Sequence, residues 1–209
     1  MRLQEIERDY GDRICLHWRA FPLIPDERPG RLTTEKTRDG RRRVAAEEPR
    51  AQFVSPAVGS PLPASSLPAL VAAKCAEVQG EAAFRRFHEG LFVAHFRDNL
   101  DIARPDVLRD LARESGLDLA RLERDHAAGL AYQAVLTDYA EGAAWFGVSA
   151  IPAVIFDEKV SLVGAVPAER YRVILDWILA GEPGGLVPIP PDEAPAGVTR
   201  PGEPGSGAA

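Results

Sequence analysis

The chain contains little cysteine and no long apolar run. Among its 209 residues only Cys15 and Cys75 are cysteines, too few and too far apart for a disulfide framework or a zinc knuckle. No stretch reaches the roughly 20 apolar residues that a membrane helix needs. The net charge of -6 leaves no overall positive field, which argues against nucleic acid or an anionic membrane as a partner.

Common catalytic signatures are missing as well. The sequence contains no Gly-rich phosphate loop, no GxSxG elbow and no HExxH pair. His88 and His95 are seven residues apart, whereas metal-binding pairs on one helix are usually four apart, so we predict no metal site. The first residues carry no apolar export signal, which predicts a cytoplasmic location. With 45% hydrophobic and 27% charged residues, the chain is expected to be globular.

Helical periodicity dominates the part of the sequence that has a regular pattern. Apolar residues three and four apart predict a helix over residues 2–10, several helices between 65 and 146, and a last helix from Pro167 to Gly181. Within the central block, Pro105 is typical of a helix start and Gly116 of a helix end. The sequence therefore predicts a mainly helical protein with an all-α segment at its centre.

Strand patterns are short and lie on either side of that segment. Ile14, Leu16 and Trp18 alternate with polar residues, which predicts a strand over 13–21. Apolar runs at 153–156 and 160–163, separated by charged residues, predict a β-hairpin. Residues 25–63 lose all periodicity and are predicted to form a long loop, and the Pro- and Gly-rich stretch 182–209 a disordered tail.

The order of these elements resembles that of the DsbA-type oxidoreductases, in the branch of FrnE-like proteins and 2-hydroxychromene-2-carboxylate isomerases. Four sequence stretches carry the same resemblance. This resemblance implies an α/β, thioredoxin-like fold with an inserted all-α helical domain. It divides the chain into part of the thioredoxin-like domain at 1–64, the helical insertion at 65–146 and the rest of the thioredoxin-like domain at 147–181. The stretches are LQEIERDYGDRICLHWRAFPLIP at 3–25, FRRFHEGLF at 84–92, GVSAIP at 147–152 and VGAVPAERY at 163–171.

The resemblance also implies where a substrate binds. Family members place a cis-proline loop beside their reactive cysteines, and the residue before the proline pairs through its backbone with an extended peptide. In this sequence Pro152 matches the cis-proline and Ile151 the pairing residue, with Ala150 before them. Ala150 and Ala153 stand where Gly and Thr are frequent, which changes the fine shape of this predicted substrate-binding site.

The family's other catalytic element has no counterpart in this chain. Relatives carry a Cys-x-x-Cys motif after a first strand, at the start of a helix of which residues 2–10 match the second half. We therefore expect an N-terminally incomplete fold without a catalytic residue, and a gap or a new pairing between 13–21 and the strand at 153–157. Cys15 lies mid-strand and Cys75 on an apolar helix face, so both are expected to be small buried residues.

Three functions stay open at this stage. The resemblance implies a thiol-disulfide oxidoreductase that acts on a protein or peptide thiol or disulfide. Because the Cys-x-x-Cys motif is absent, we expect this chain to be inactive. The related branch would instead be a glutathione-dependent isomerase, with glutathione as the one cofactor to expect. A redox-inactive peptide-binding module is the third hypothesis. We predict no nucleic-acid, membrane or metal partner, and the oligomeric state is left open.

Overall fold

The computed structural model describes residues 2–184 and 198–199, which contain eight α-helices and three β-strands. None of the helices in these ranges is long and apolar enough to cross a bilayer. In chain order the elements are α1 (Arg2–Tyr10), α2 (Glu35–Glu47), α3 (Leu67–Glu77), α4 (Glu81–Phe92), a π-helical turn (Val93–Arg97), α5 (Pro105–Glu114), α6 (Leu119–Ala127), α7 (Leu130–Trp145), β1 (Ala153–Phe156), β2 (Val160–Val163), α8 (Ala168–Leu179) and β3 (Val198–Thr199).

These elements form two compact units. The α/β unit combines the chain up to Arg19 with the chain from Asp138 onward, and the helical unit consists of Ala20–Thr137. The sequence predicts the helical segment at 65–146. The helical unit of the structure also includes residues before 65, because it begins at Ala20. Residues after Ala20 join it because their backbone bonds to it directly: the Val54 amide donates to the Phe96 carbonyl at 2.8 Å.

The α/β unit is built on the predicted hairpin, which is confirmed. β1 and β2 pair antiparallel from Ala153↔Val163 to Phe156↔Val160, and β3 pairs with the other edge of β2. Asp157, Glu158 and Lys159 connect the strands. Asp157 and Glu158 have φ angles of 47° and 55°, and the Lys159 amide donates to the Phe156 carbonyl at 2.9 Å, which closes the turn. Helices α1 and α8 cover the hairpin with a shared core of eight buried residues: Ile6, Tyr10, Phe156, Val160, Leu162, Val166, Tyr171 and Ile174.

The helical unit is organised around α3, which packs against α4, α5 and α6. Residues 71–76 of α3 are all buried, among them Lys74, whose Nζ forms an ion pair with Glu77 at 2.9 Å. Many of these residues are alanines, whose small side chains let neighbouring helices approach closely. Phe87 of α4 is fully buried at 0% exposure, and Leu108 and Ala112 of α5 complete the core.

Most predicted helices are confirmed, but one helix was missed. Helix α2 lies inside 25–63, where the sequence predicts only a loop. Its first turn is capped by Thr34, whose hydroxyl accepts a hydrogen bond from the Thr37 amide at 3.2 Å. None of the residues of α2 is buried, so the helix has no apolar stripe that periodicity could detect.

The predicted strand over 13–21 is wrong. Ile14 has extended φ and ψ angles of -133° and 156°, yet residues 14–21 pair with no strand in the part of the chain that the structure describes. Alternation alone cannot make a strand, because a ladder needs a neighbouring strand. Instead, Arg19 ties this extended segment to α7 by donating to the buried Asp138 carboxylate at 3.1 Å. The predicted disordered tail, 182–209, lies mostly outside the described residues.

Candidate functional site

The loop around Pro152 follows directly from the end of α7. Gly147 has a φ of 62°, a conformation that glycine tolerates best, and this residue turns the chain away from the helix axis. The Val148 amide then donates back to the Gly142 carbonyl at 2.9 Å, and the Val148 side chain is buried. This helix end anchors one side of the following residues 150–152, which we call the proline loop.

The hairpin anchors the other side of the proline loop. The Gly164 amide donates to the Pro152 carbonyl at 2.7 Å, just beyond the first ladder pair, Ala153↔Val163. The peptide bond between Ile151 and Pro152 is cis. Ile151 lies outside the ladder and its side chain is 44% exposed. The structure therefore presents the predicted substrate-binding residues Ala150, Ile151 and Pro152 together on an accessible loop.

An exposed aromatic side chain precedes this loop. Trp145 is 65% exposed. It occupies the last turn of α7, beyond the turn that contributes the buried Asp138. Trp145 and Ile151 give the α/β unit two exposed large apolar side chains six residues apart in sequence.

The two thiols occupy different surroundings. Cys75 is buried in α3, as predicted, and burial together with the nearby Asp125 carboxylate raises its pKa to about 11. Cys15 is exposed, so the expectation that it is buried is wrong: the segment that carries it has no neighbouring strand to cover it. Both cysteines are free, and they belong to different units. The chain therefore contains no paired thiols.

The histidines of α4 and the π-helical turn are packing residues. The His88 ring stacks on Phe84 at 5.2 Å and meets the edge of Phe92 at 5.1 Å, and burial lowers its pKa. His95 lies against Phe96, with ring centroids 4.7 Å apart. Within residues 2–184, no group of three or more side chains is placed to hold a metal ion.

Comparison with known proteins places this geometry in a family. The sequence profile of the thioredoxin family matches residues 49–169, more than half of the chain. The chain belongs to the thioredoxin family. The matched stretch of this thioredoxin-family chain contains the proline loop and Cys75, whereas Cys15 lies before it.

A solved structure shows the same fold. A provisionally assigned protein disulfide isomerase from Nitrosomonas europaea is similar to this thioredoxin-family chain, with a TM-score of 0.66 and 18% sequence identity. The match covers 86% of this chain and 89% of that chain. The α/β, thioredoxin-like fold expected from the sequence is therefore confirmed.

Proposed function

We propose that this thioredoxin-family chain acts in thiol-disulfide chemistry and that its proline loop is the substrate-binding element. The observation that carries the proposal is the position of Ile151. Its side chain is 44% exposed, and its backbone lies just outside the ladder that begins at Ala153↔Val163. An extended peptide can pair with such a backbone as an added strand, which gives affinity through main-chain hydrogen bonds.

The exposed apolar side chains set the kind of peptide that fits. Trp145 and Ile151 together favour a peptide with apolar side chains beside its cysteine, because aromatic and aliphatic surfaces gain by excluding water. The neighbouring residues add little charge, since residues 142–154 contain no Asp, Glu, Lys or Arg. We infer an unfolded protein segment, rather than a small charged metabolite, as the substrate class.

We propose that the chain contributes the substrate-binding loop to this chemistry, and that its own two cysteines do not supply the reactive thiol. In disulfide exchange a thiolate attacks one sulfur of a substrate disulfide, forms a mixed disulfide and releases the other sulfur as a thiolate. Cys75 is buried with a pKa raised to about 11, so its thiol is neither accessible nor ionised at neutral pH. Cys15 has no second thiol bonded to it, since both cysteines of the chain are free.

A second candidate function is a redox-inactive peptide-binding module. The absence of a paired thiol favours it, because binding through the proline loop needs no nucleophile. Both candidates share the same peptide-binding surface. They differ only in whether a reactive thiol acts on the bound peptide.

Peptide titration followed by NMR tests the shared surface. An unstructured apolar peptide with its cysteine alkylated should shift the backbone amide signals of Ile151 and Ala153. Ile151→Pro removes the backbone donor and should weaken binding about two- to tenfold, the equivalent of one hydrogen bond between uncharged groups. Ile151→Ala is the matched control, since it keeps the backbone N–H and should change affinity less.

Two results would contradict the proposal. One is a peptide that binds while the amide signals of the proline loop stay unchanged, which would place binding elsewhere. The other is a correctly folded Ile151→Pro variant that binds as tightly as the unmodified chain. The amide shifts in the unmodified protein decide the question even if Ile151→Pro does not fold.

A further inference from the structure

Arg41 of α2 contacts the π-helical turn through its guanidinium group. Its Nη1 donates to the Asn99 side-chain oxygen at 2.7 Å and lies 3.4 Å from the His95 carbonyl. Its Nη2 lies 3.3 Å from His95 Nε2. The guanidinium carbon stands 5.1 Å from the centroid of the Phe96 ring, a cation-π contact. All of these partners are neutral or aromatic.

Neighbouring arginines of the same helix have carboxylate partners. Arg38 forms ion pairs with Glu35 and Asp39, and Arg42 lies 3.6 Å from Asp39. Arg41 has no carboxylate within ion-pair distance in the described part of the chain, although it is half-buried and burial lowers its pKa. A partly desolvated cation without a counter-ion is costly unless an anion completes it.

One edge of the Arg41 guanidinium is left for such an anion. Arginine has five N–H groups in a rigid plane. The contacts with Asn99 and His95 engage Nη1 and one N–H of Nη2, whereas Nε donates to no other described residue. In a planar guanidinium, Nε–H runs parallel to one of the two Nη2–H bonds. Their spacing matches two oxygens of a carboxylate or phosphate group.

The π-helical turn positions the groups that contact Arg41. Its wide spacing is seen where the Asp98 amide donates to the Val93 carbonyl five residues earlier, at 3.0 Å. Asn99 follows with a φ of 55°, which turns its amide side chain toward Arg41. On the far side, the Phe53 ring meets Phe96 edge-on at 5.0 Å.

His95 is a neutral partner of Arg41. Burial, followed by the Arg41 charge, lowers the pKa of His95 to about 4, so the ring is neutral at pH 7 and accepts from Arg41. The His95 contact therefore does not offset the positive charge of Arg41.

We propose that Arg41, together with Asn99, His95 and Phe96, forms a binding site for a small oxyanion. The ligand is a carboxylate or phosphate group that accepts two parallel hydrogen bonds from Nε and Nη2. The site lies wholly within the helical unit and does not depend on the function of the proline loop. Its role is to bind an anionic small molecule or an acidic group of a partner.

Anion-dependent thermal unfolding and NMR test this site in the full chain. Acetate and inorganic phosphate, each compared with chloride at equal ionic strength, should raise the unfolding temperature, and should shift the Arg41 Nε–H signal. The anion with the larger effect identifies carboxylate or phosphate as the preferred chemistry. Arg41→Met should weaken binding at least about tenfold, since charge-assisted hydrogen bonds contribute most of it.

Control variants separate binding from a merely structural role. Arg43→Met removes an exposed arginine of the same helix and should keep the full anion response. Arg41→Lys keeps the charge without the planar fork and should bind more weakly than the unmodified chain. If acetate and phosphate stabilise the unmodified chain no more than chloride does, or stabilise Arg41→Met equally, the proposal is overturned and Arg41 only anchors α2.

Discussion

The two units reach a buried core by different routes. The helical unit stacks helices that follow one another along the chain, with α3 at the centre and Phe87 fully buried beside it. The α/β unit joins α1, from the start of the chain, to β1, β2 and α8 near its end. The helical unit is thus formed by one continuous segment of the chain, whereas the core of the α/β unit depends on pairing distant segments.

This difference shows most clearly at the edges of the small sheet. In the described residues, β1 pairs with β2 only, so its other edge offers unpaired backbone groups. Residues 14–21 of the same unit are extended but have no strand beside them. A helix satisfies its own backbone, so the helical unit has no comparable open edge. The proline loop lies in the unit that has this open sheet edge.

The largest effect is expected from opening a cavity in the helical unit. Phe87→Ala removes a fully buried ring and should lower the free energy of unfolding by about 3–5 kcal/mol. Phe92→Ala, on the same helix but 54% exposed, is the matched control and should cost much less. Denaturant unfolding followed by circular dichroism measures both. Equal losses for the two variants would mean that the core does not centre on α3 and α4.

Thiol labelling compares the units directly. Cys15 is exposed in the α/β unit, whereas Cys75 is buried in the helical unit with a pKa of about 11. At pH 8 only about 0.1% of Cys75 is thiolate, so Cys15 should react with a thiol reagent at least roughly 100-fold faster. One thiol per chain should react in the native state, and two after denaturation. Cys15→Ser should abolish the fast phase, and a fast phase that survives it would show that Cys75 is accessible.

A smaller effect is expected where α1 meets α8 in the α/β unit. The Tyr10 hydroxyl donates to the Asp176 carboxylate at 2.7 Å, and burial and this bond raise the pKa of Tyr10 to about 12. Tyr10→Phe should lower the free energy of unfolding by about 1 kcal/mol at pH 7.

The alkaline range gives that variant a second readout. The folded state holds the Tyr10 proton more tightly than the unfolded state, so the unmodified chain should lose stability as the pH rises from 10 to 12. Tyr10→Phe should lose less over the same range, measured by denaturant unfolding at each pH. Tyr132→Phe, an exposed tyrosine, is the control. Parallel losses in Tyr10→Phe and the unmodified chain would show that the bond contributes nothing.

Local patterns predicted most of the fold, and the exceptions share a physical cause. Helices with an apolar stripe, such as α5, and the hairpin with its turn at Asp157 are encoded within a few residues. Helix α2 was missed because its residues are polar or exposed, so only its Thr34 cap marks it. The strand predicted over 13–21 failed because pairing depends on a distant segment that no local pattern contains.

The candidate site was predictable to a similar extent. The proline loop was predicted because its sequence resembles that of a known family. Hydrophobic periodicity alone gives no signal for such a loop. The exposure of Trp145 and Cys15 depends on which segments cover them in three dimensions, so it could not be predicted. Likewise, nothing in the sequence Arg41, Arg42, Arg43 shows which arginine meets the π-helical turn.

The central claim is that the chain combines a proposed substrate-binding loop with two cysteines that form no reactive pair. Insulin disulfide reduction tests this claim most directly. With dithiothreitol as the reductant, the protein should not accelerate the precipitation of the insulin B chain above the uncatalysed rate. The Cys15→Ser and Cys75→Ser variants should give the same rate as the unmodified chain. A rate well above background that Cys15→Ser abolishes would contradict the account, because it would identify Cys15 as a working nucleophile.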